Sequence, residues 1–127
     1  MEAPCREVST VAATERLHLL SAGTLRWRRV QRSIFPDAVF RESCWDIMLM
    51  CFTSDLEQGS LCVKQIRSEL DESNTSLLRR IQELEDAGMV QRQRDDVDGR
   101  RTIVRLTNDG KAAMARFFTM ISDESAR

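Results

Sequence analysis

Charge of one sign is missing from this sequence. Its 19 Lys and Arg face 20 Asp and Glu, a net charge of −1. The chain as a whole therefore does not announce an affinity for nucleic acid, and any such contact must come from locally clustered arginines. Long hydrophobic runs are missing as well. The longest, Ile47 to Phe52, falls far short of the roughly 20 residues that cross a bilayer. The first residues carry Glu2, Arg6 and Glu7 where a secretory signal needs an apolar stretch. The expectation is a cytoplasmic protein with no membrane partner.

Paired metal ligands are also lacking. The 4 cysteines (Cys5, Cys44, Cys51 and Cys62) have no C-x-x-C spacing, and His18 is the 1 histidine. This pattern argues against a disulfide scaffold and against zinc, so no metal and no cofactor is expected. Cys44 and Cys51 lie two helical turns apart, about 10 Å between backbones, too far for an intrachain disulfide. They read as buried inert thiols; a redox role would need an intersubunit pair or a single reactive thiol. No Gly-rich phosphate loop and no nucleophile elbow occurs, and the chain is not expected to be an enzyme.

What is there is one globular domain's worth of chain: 127 residues, 42% hydrophobic and 31% charged. Residues 1–8 read as a flexible N-terminus and 122–127 as a flexible tail around a single domain at 9–121. Ser9 to Arg32 are mostly helix formers, with Gly23 as a point of bending or interruption. The end of that helix is basic at Arg26, Arg28, Arg29 and Arg32, a cluster that fits a solvated face, a phosphate clamp or a patch for an acidic partner. Pro36 breaks the pattern. A second helix is predicted from Arg41 to Leu56 with a core stripe of Trp45, Met48, Leu49 and Phe52. Ser60 is the candidate N-cap of a third helix over Leu61–Leu70.

Ser73 is the candidate N-cap of a fourth helix, which ends at Gly88 and buries Leu77, Ile81 and Leu84. The period then changes to 2. Met89–Arg94 and Thr102–Leu106 read as strands flanking a polar tip, Asp95 to Arg100. Thr107 or Asn108 caps a last helix to Ile121. The fold class is mainly α with a small β-hairpin wing, a winged helix-turn-helix. Residues 9–40 form the N-terminal helix and connection, 41–106 the DNA-binding core and 107–121 the C-terminal helix. Within the core, 60–87 are the helix-turn-helix and 89–106 the wing.

Two short helices joined by a polar turn and followed by a hairpin suit double-stranded DNA. The second helix can enter the major groove, where its first turns reach base edges. Those turns hold Asn74, Thr75, Ser76 and Arg79. Arg80 flanks the buried stripe, where a phosphate contact is as natural as none. The hairpin carries Arg92, Arg94, Arg100, Arg101 and Arg105, in local excess over Asp95, Asp96 and Asp98. An arginine at a hairpin tip fits a narrow minor groove.

The sequence here resembles the MarR-type winged-helix regulators. The resemblance covers about Trp45 to Met114. It rests on Ser73-x-Thr75-Ser76-Leu77, on Leu84-Glu85-Asp86-Ala87-Gly88-Met89-Val90-x-Arg92, on Asp98-Gly99-Arg100-Arg101, and on Leu106-Thr107-Asn108-Asp109-Gly110. It implies a homodimeric transcriptional repressor on a pseudo-palindromic operator, with Asn74, Thr75, Ser76 and Arg79 as groove readers. It further implies Arg100 as the wing-tip minor-groove arginine and Asp98 as the acid bracing the wing. A dimer would rest on the N-terminal helix and the one C-terminal helix, which leaves little room for the small-molecule effector site many relatives have. Leu78 stands where such proteins commonly carry a small polar residue; it fits either a thymine methyl or simple packing. The alternative from another class is a winged-helix module that acts on a protein partner, another regulator or a sensor. The near-neutral charge favours that alternative, and the wing arginines oppose it.

Overall fold

The computed structural model describes residues 5–125, with side chains described for 10–123. The chain divides into two compact units, Met1–Ser33 and Ile34–Arg127. Helix α1, Cys5–Ile34, makes up the described part of the first. It begins before Ser9 and runs without interruption through Gly23, correcting the expected break. A lone interior glycine costs a helix about 1 kcal/mol, which the surrounding helix formers offset. Leu17, Leu19, Leu20 and Leu25 are all exposed on α1, as are Arg26, Arg28, Arg29 and Arg32. Residues 1–4 of the expected flexible N-terminus lie outside the described residues.

The second unit starts at the proline signal. Ile34 precedes Phe35-Pro36, and a single 3-10 turn, Asp37–Phe40, follows. Helix α2, Cys44–Leu56, starts later than Arg41 because Ser43 turns the chain with a left-handed φ of 64°. Its core face is Cys44, Ile47, Met48 and Cys51, rotated from the expected stripe. This helix is apolar on most sides, so periodicity alone does not fix which side faces inward. Trp45 and Phe52 flank the core in a set of rings instead. Trp45 meets Phe35 at 5.2 Å and Phe117 at 5.4 Å between centroids, and Phe52 stacks on Phe118 at 5.8 Å.

Helix α3 is shorter than predicted, Val63–Glu69, and its N-cap is Cys62 rather than Ser60. The reason is long-range. Leu61 accepts a hydrogen bond from the Val104 N–H at 2.8 Å and Cys62 bridges to Ile103, so the hairpin holds these residues extended. Gln65 then closes the helix start by accepting from the Cys62 N–H at 2.8 Å.

Helix α4, Asn74–Asp86, follows its sequence signals. The Ser73 hydroxyl accepts from the Ser76 N–H at 3.1 Å, satisfying one otherwise orphaned donor of the first turn. Leu77, Ile81 and Leu84 are fully buried. At the other end Gly88 takes a φ of +79°, and the Met89 N–H reaches back to the Leu84 carbonyl at 3.0 Å. Strands β1, Val90–Arg94, and β2, Thr102–Leu106, pair antiparallel with Val90 opposite Leu106 and Arg94 opposite Thr102. Helix α5, Asn108–Ser125, extends past the expected end at Ile121. The Thr107 hydroxyl accepts from the Gly110 N–H at 2.9 Å and donates to the Gly88 carbonyl at 2.6 Å, tying the start of α5 to the end of α4. A side chain at position 110 would run into the Met89 carbonyl, so only glycine fits this junction.

Candidate nucleic-acid interface

The buried stripe of α4 decides what its other side offers. With Leu77, Ile81 and Leu84 facing inward, the exposed residues are Asn74, Thr75, Leu78, Arg79, Gln82 and Asp86, the last accepting from the Gln82 side chain at 2.8 Å. These positions recur at i, i+4 and i+3 spacing and so share one face. Asn74 is oriented from outside the helix: its side-chain oxygen accepts from Arg67 on α3 at 3.2 Å. Among the described residues Arg79 makes no ion pair.

Two of the sequence candidates do not join this face. The Ser76 hydroxyl donates to Glu72 at 2.8 Å, and its N–H is taken by the Ser73 cap. Ser76 thereby closes the turn between α3 and α4. Arg80 leaves only 18% of its side chain exposed and pairs with Glu83 at 3.0 Å, and Glu83 also receives Arg41 at 3.0 Å. The Ser43 hydroxyl, working against burial and helped by the Ser76 hydroxyl and the Arg80 charge, holds the Glu72 carboxyl below its usual range. Arg80 is thus one strut of a cluster that fastens α4 to the start of α2.

The wing arginines separate in the same way. Arg92 is committed inward: its N–H, Nε and Nη2 all donate to Glu85, at 3.1, 3.1 and 2.8 Å. This contact holds the Glu85 carboxyl below its ordinary value despite partial burial. At the tip, Asp98 Oδ1 accepts from the Arg100 N–H at 3.1 Å and from its Nε at 3.2 Å, while 93% of the Arg100 side chain stays exposed. Asp95 caps the Val97 N–H at 3.0 Å and pairs with Arg101 at 3.3 Å. Arg94 and Arg105 are exposed, Arg94 donating to the Gly99 carbonyl at 3.3 Å.

Between α3 and the wing lies an open hollow of about 690 Å³ whose charged lining is Lys64, Arg67, Arg100 and Arg101 against Asp98. Four cations and one carboxylate that is already hydrogen-bonded make a surface suited to phosphate. The near-zero net charge of the chain thus includes a local concentration of cations. Glu72, Glu83, Glu85, Asp95 and Asp98 are engaged in internal contacts, Glu69, Asp71, Asp86 and Asp96 stay exposed, and the cations gather at the hollow. Lys64, Arg67 and Gln82 had no place among the sequence candidates. Helical spacing alone already sets Gln82 opposite the buried stripe, whereas Lys64 and Arg67 are joined to the wing only by the tertiary fold.

Among the described residues Cys44, Cys51 and Cys62 form no ligand set. Cys44 and Cys51 are buried, and burial pushes their thiols up to about 11 and about 12. Burial also acts to raise the Cys62 thiol, but the Gln65 backbone N–H and the neighbouring Arg101 outweigh it and hold this thiol below its ordinary value. The Cys5 side chain lies outside the described residues. Among the described residues no group of His, Cys, Asp or Glu is placed to hold a metal ion. No described helix is long and apolar enough to cross a membrane.

Residues 49–123, well over half the chain, match the model of a family described as a winged helix DNA-binding domain. Solved structures share the fold. The YusO protein from Bacillus subtilis superposes with a TM-score of 0.69 at 16% identity, over 99% of this chain and 83% of its own. MepR, described as a transcription regulator of the Staphylococcus aureus multidrug efflux pump MepA, gives 0.63 at 13% identity over 91% and 78%. A MarR family protein from Bacillus stearothermophilus gives 0.60 at 17% identity over 98% and 81%. No curated protein matches the sequence.

Proposed function

The chain belongs to the family of winged helix DNA-binding domains, and from that premise we propose that it is a sequence-specific transcriptional regulator, a dimeric repressor of the MarR kind. In this reading α4 lies in the major groove and the wing follows the adjacent minor groove. Asn74, Thr75 and Arg79 read bases, with Arg79 suited to bidentate contact with guanine. Arg100 enters the minor groove, and Lys64, Arg67 and Arg101 hold phosphates. Ser76, Arg80 and Asp98 act indirectly, by fixing the recognition helix and the tip of the wing. A chromosomal target implies work in the cytoplasm.

The observation that carries the reading is the division of charge on α4 and the wing. Glu83, Glu85, Asp95 and Asp98 are held by internal partners, while Arg79, Arg94 and Arg100 stay exposed beside the two exposed acids, Asp86 and Asp96. For the dimer, the support is the exposed apolar side of α1. Leu17, Leu20 and Trp27 are open to water at spacings that place them on one side of the helix, as a dimer seam requires.

The test is selection from a random duplex library by the purified protein, followed by fluorescence anisotropy at two salt concentrations. The expected result is an enriched pseudo-palindrome with half-sites about one helical turn apart, and affinity that falls steeply with salt. Enrichment of a single half-site would remove the dimer and keep the DNA. No enrichment at low salt would overturn the reading in favour of a protein partner, the alternative that the net charge of −1 supports.

A further inference from the structure

Leu78 is a large apolar side chain in the middle of the polar face of α4, and 37% of it is exposed. It is not part of the buried stripe, which Leu77, Ile81 and Leu84 form at zero exposure. Its neighbours by helical geometry are Asn74 at i−4, Thr75 at i−3 and Gln82 at i+4, with Arg79 beside it; all four are exposed. Asn74, Thr75 and Arg79 keep polar groups open on this face, the Gln82 carboxamide is bound to Asp86 and Arg92, and Leu78 offers no hydrogen bond at all. Its position is therefore the one place on the reading face where a polar base edge would go unmatched.

We propose that Leu78 is a specificity-determining residue that selects thymine by contact with its C5-methyl group. The reasoning is chemical. Among the features displayed in the major groove, the donors and acceptors of guanine, cytosine and adenine all demand polar partners. The thymine methyl alone is apolar. Burying that methyl against the leucine removes both from water. Placing cytosine there instead sets an N4 donor against a side chain with no acceptor. The γ-methyl of Thr75, one turn earlier on the same face, widens the apolar patch toward the helix N-terminus. Leu78 thus supplies an apolar discrimination that Asn74 and Arg79 do not provide. This inference rests on the DNA-binding reading.

The test uses the selected operator and removes methyl groups only. Each thymine is replaced in turn by deoxyuridine, symmetrically in both half-sites, and the affinity of the wild-type protein is measured. At one position per half-site the loss should be roughly three- to fivefold per methyl, the value of one buried methyl group. In Leu78→Ala the same replacement should cost nothing, while Leu78→Met, which keeps an apolar reach, should retain the loss. The deoxyuridine series on the wild type needs no variant, so a folding defect cannot produce its result. If no thymine is methyl-sensitive, or if Leu78→Ala loses as much as wild type at the same position, the assignment to Leu78 is overturned. A protein that selects an operator yet behaves in that way remains a DNA-binding regulator. Selection of no duplex overturns both readings together.

Discussion

Helices α1 and α4 solve opposite problems with similar residues. In α4 every large apolar side chain but Leu78 is buried by the chain's own core, and Arg80 and Glu85 are spent on internal ion pairs. In α1 the leucines at 17, 19, 20 and 25 are all more than half exposed. A helix whose inner face is completed within its own fold presents a defined outer face, and that face reads as a binding surface. A helix that leaves its leucines in water is completed by something else, and a second copy of α1 is the reading favoured above. The two helices should accordingly respond in opposite ways to the same kind of substitution.

The largest expected effect tests that contrast directly. Ile81→Ala opens a cavity under α4 and should lower the unfolding free energy by about 2–5 kcal/mol, seen as a fall in the urea midpoint. Leu17→Ala combined with Leu20→Ala should leave the midpoint of the isolated monomer within about 0.5 kcal/mol of wild type. It should instead raise the dimer dissociation constant, measured by sedimentation. If the α1 pair destabilises the monomer as much as Ile81→Ala does, the distinction between the two helices fails.

The next effect separates two neighbours on α4. Arg79→Ala should weaken binding to the selected operator by about 1–3 kcal/mol and relax the preference at one base pair, with the urea midpoint unchanged. Arg80→Ala should do the reverse. Losing it leaves Glu72 half-buried without its neighbouring cation and Glu83 with Arg41 alone, at about 1–2 kcal/mol of stability, while base preference persists. Equal loss of operator preference in both variants would mean that the ion cluster is not what fixes the orientation of Arg80.

How far these assignments could be read from the sequence follows from how local their causes are. The α4 stripe, its Ser73 cap, its Gly88 terminus and the hairpin are set by residues within a few positions of one another, and they were legible. Arg79 and Arg80 are adjacent, and which of them faces out is decided by Glu83 and its tie to Arg41, 42 residues away. Periodicity sets Arg80 beside the buried stripe, i+3 from Leu77 and i−4 from Leu84, but it does not carry the ion pair that holds it there. The start of α3 shows the same limit: Ser60 has the better capping chemistry, but the wing holds Leu61 and Cys62 extended. On α2 an excess of apolar residues concealed which side is the core. Leu78 stands out in the sequence, and the fold adds that the buried stripe is formed without it.

A smaller effect belongs to the joint between α4 and β1. Glu85 titrates below its ordinary 4.5 because Arg92 favours its charged form. A depressed carboxylate contributes stability that is fully present above the unfolded value and is lost as the pH falls through the folded one. Both side chains are more than a quarter exposed, so solvent screening reduces the contribution to about 1 kcal/mol. Glu85→Gln should lower stability by that amount at pH 7 and flatten its fall below pH 4.5, followed by thermal melting across the acid range. An unchanged acid profile would mean that another carboxylate controls it.

The smallest effect is at the tip of the wing, where exposure is greatest. The Arg100 side chain is 93% open and is held only by Asp98, so its removal should leave the fold untouched. A charge at the mouth of the minor groove contributes through the phosphates and the narrow-groove potential rather than through one base pair. Arg100→Ala should therefore lower affinity by less than about 1 kcal/mol, nearly uniformly across operator variants, and reduce the salt slope by about 1. Asp98→Asn distinguishes placement from charge. It keeps an oxygen to accept from the Arg100 N–H but removes the carboxylate that pairs with the guanidinium, so the slope should persist if the arginine acts by its charge alone. An unaltered salt slope in Arg100→Ala would mean that the exposed end of the wing does not reach the duplex, leaving the face of α4 to carry recognition without it.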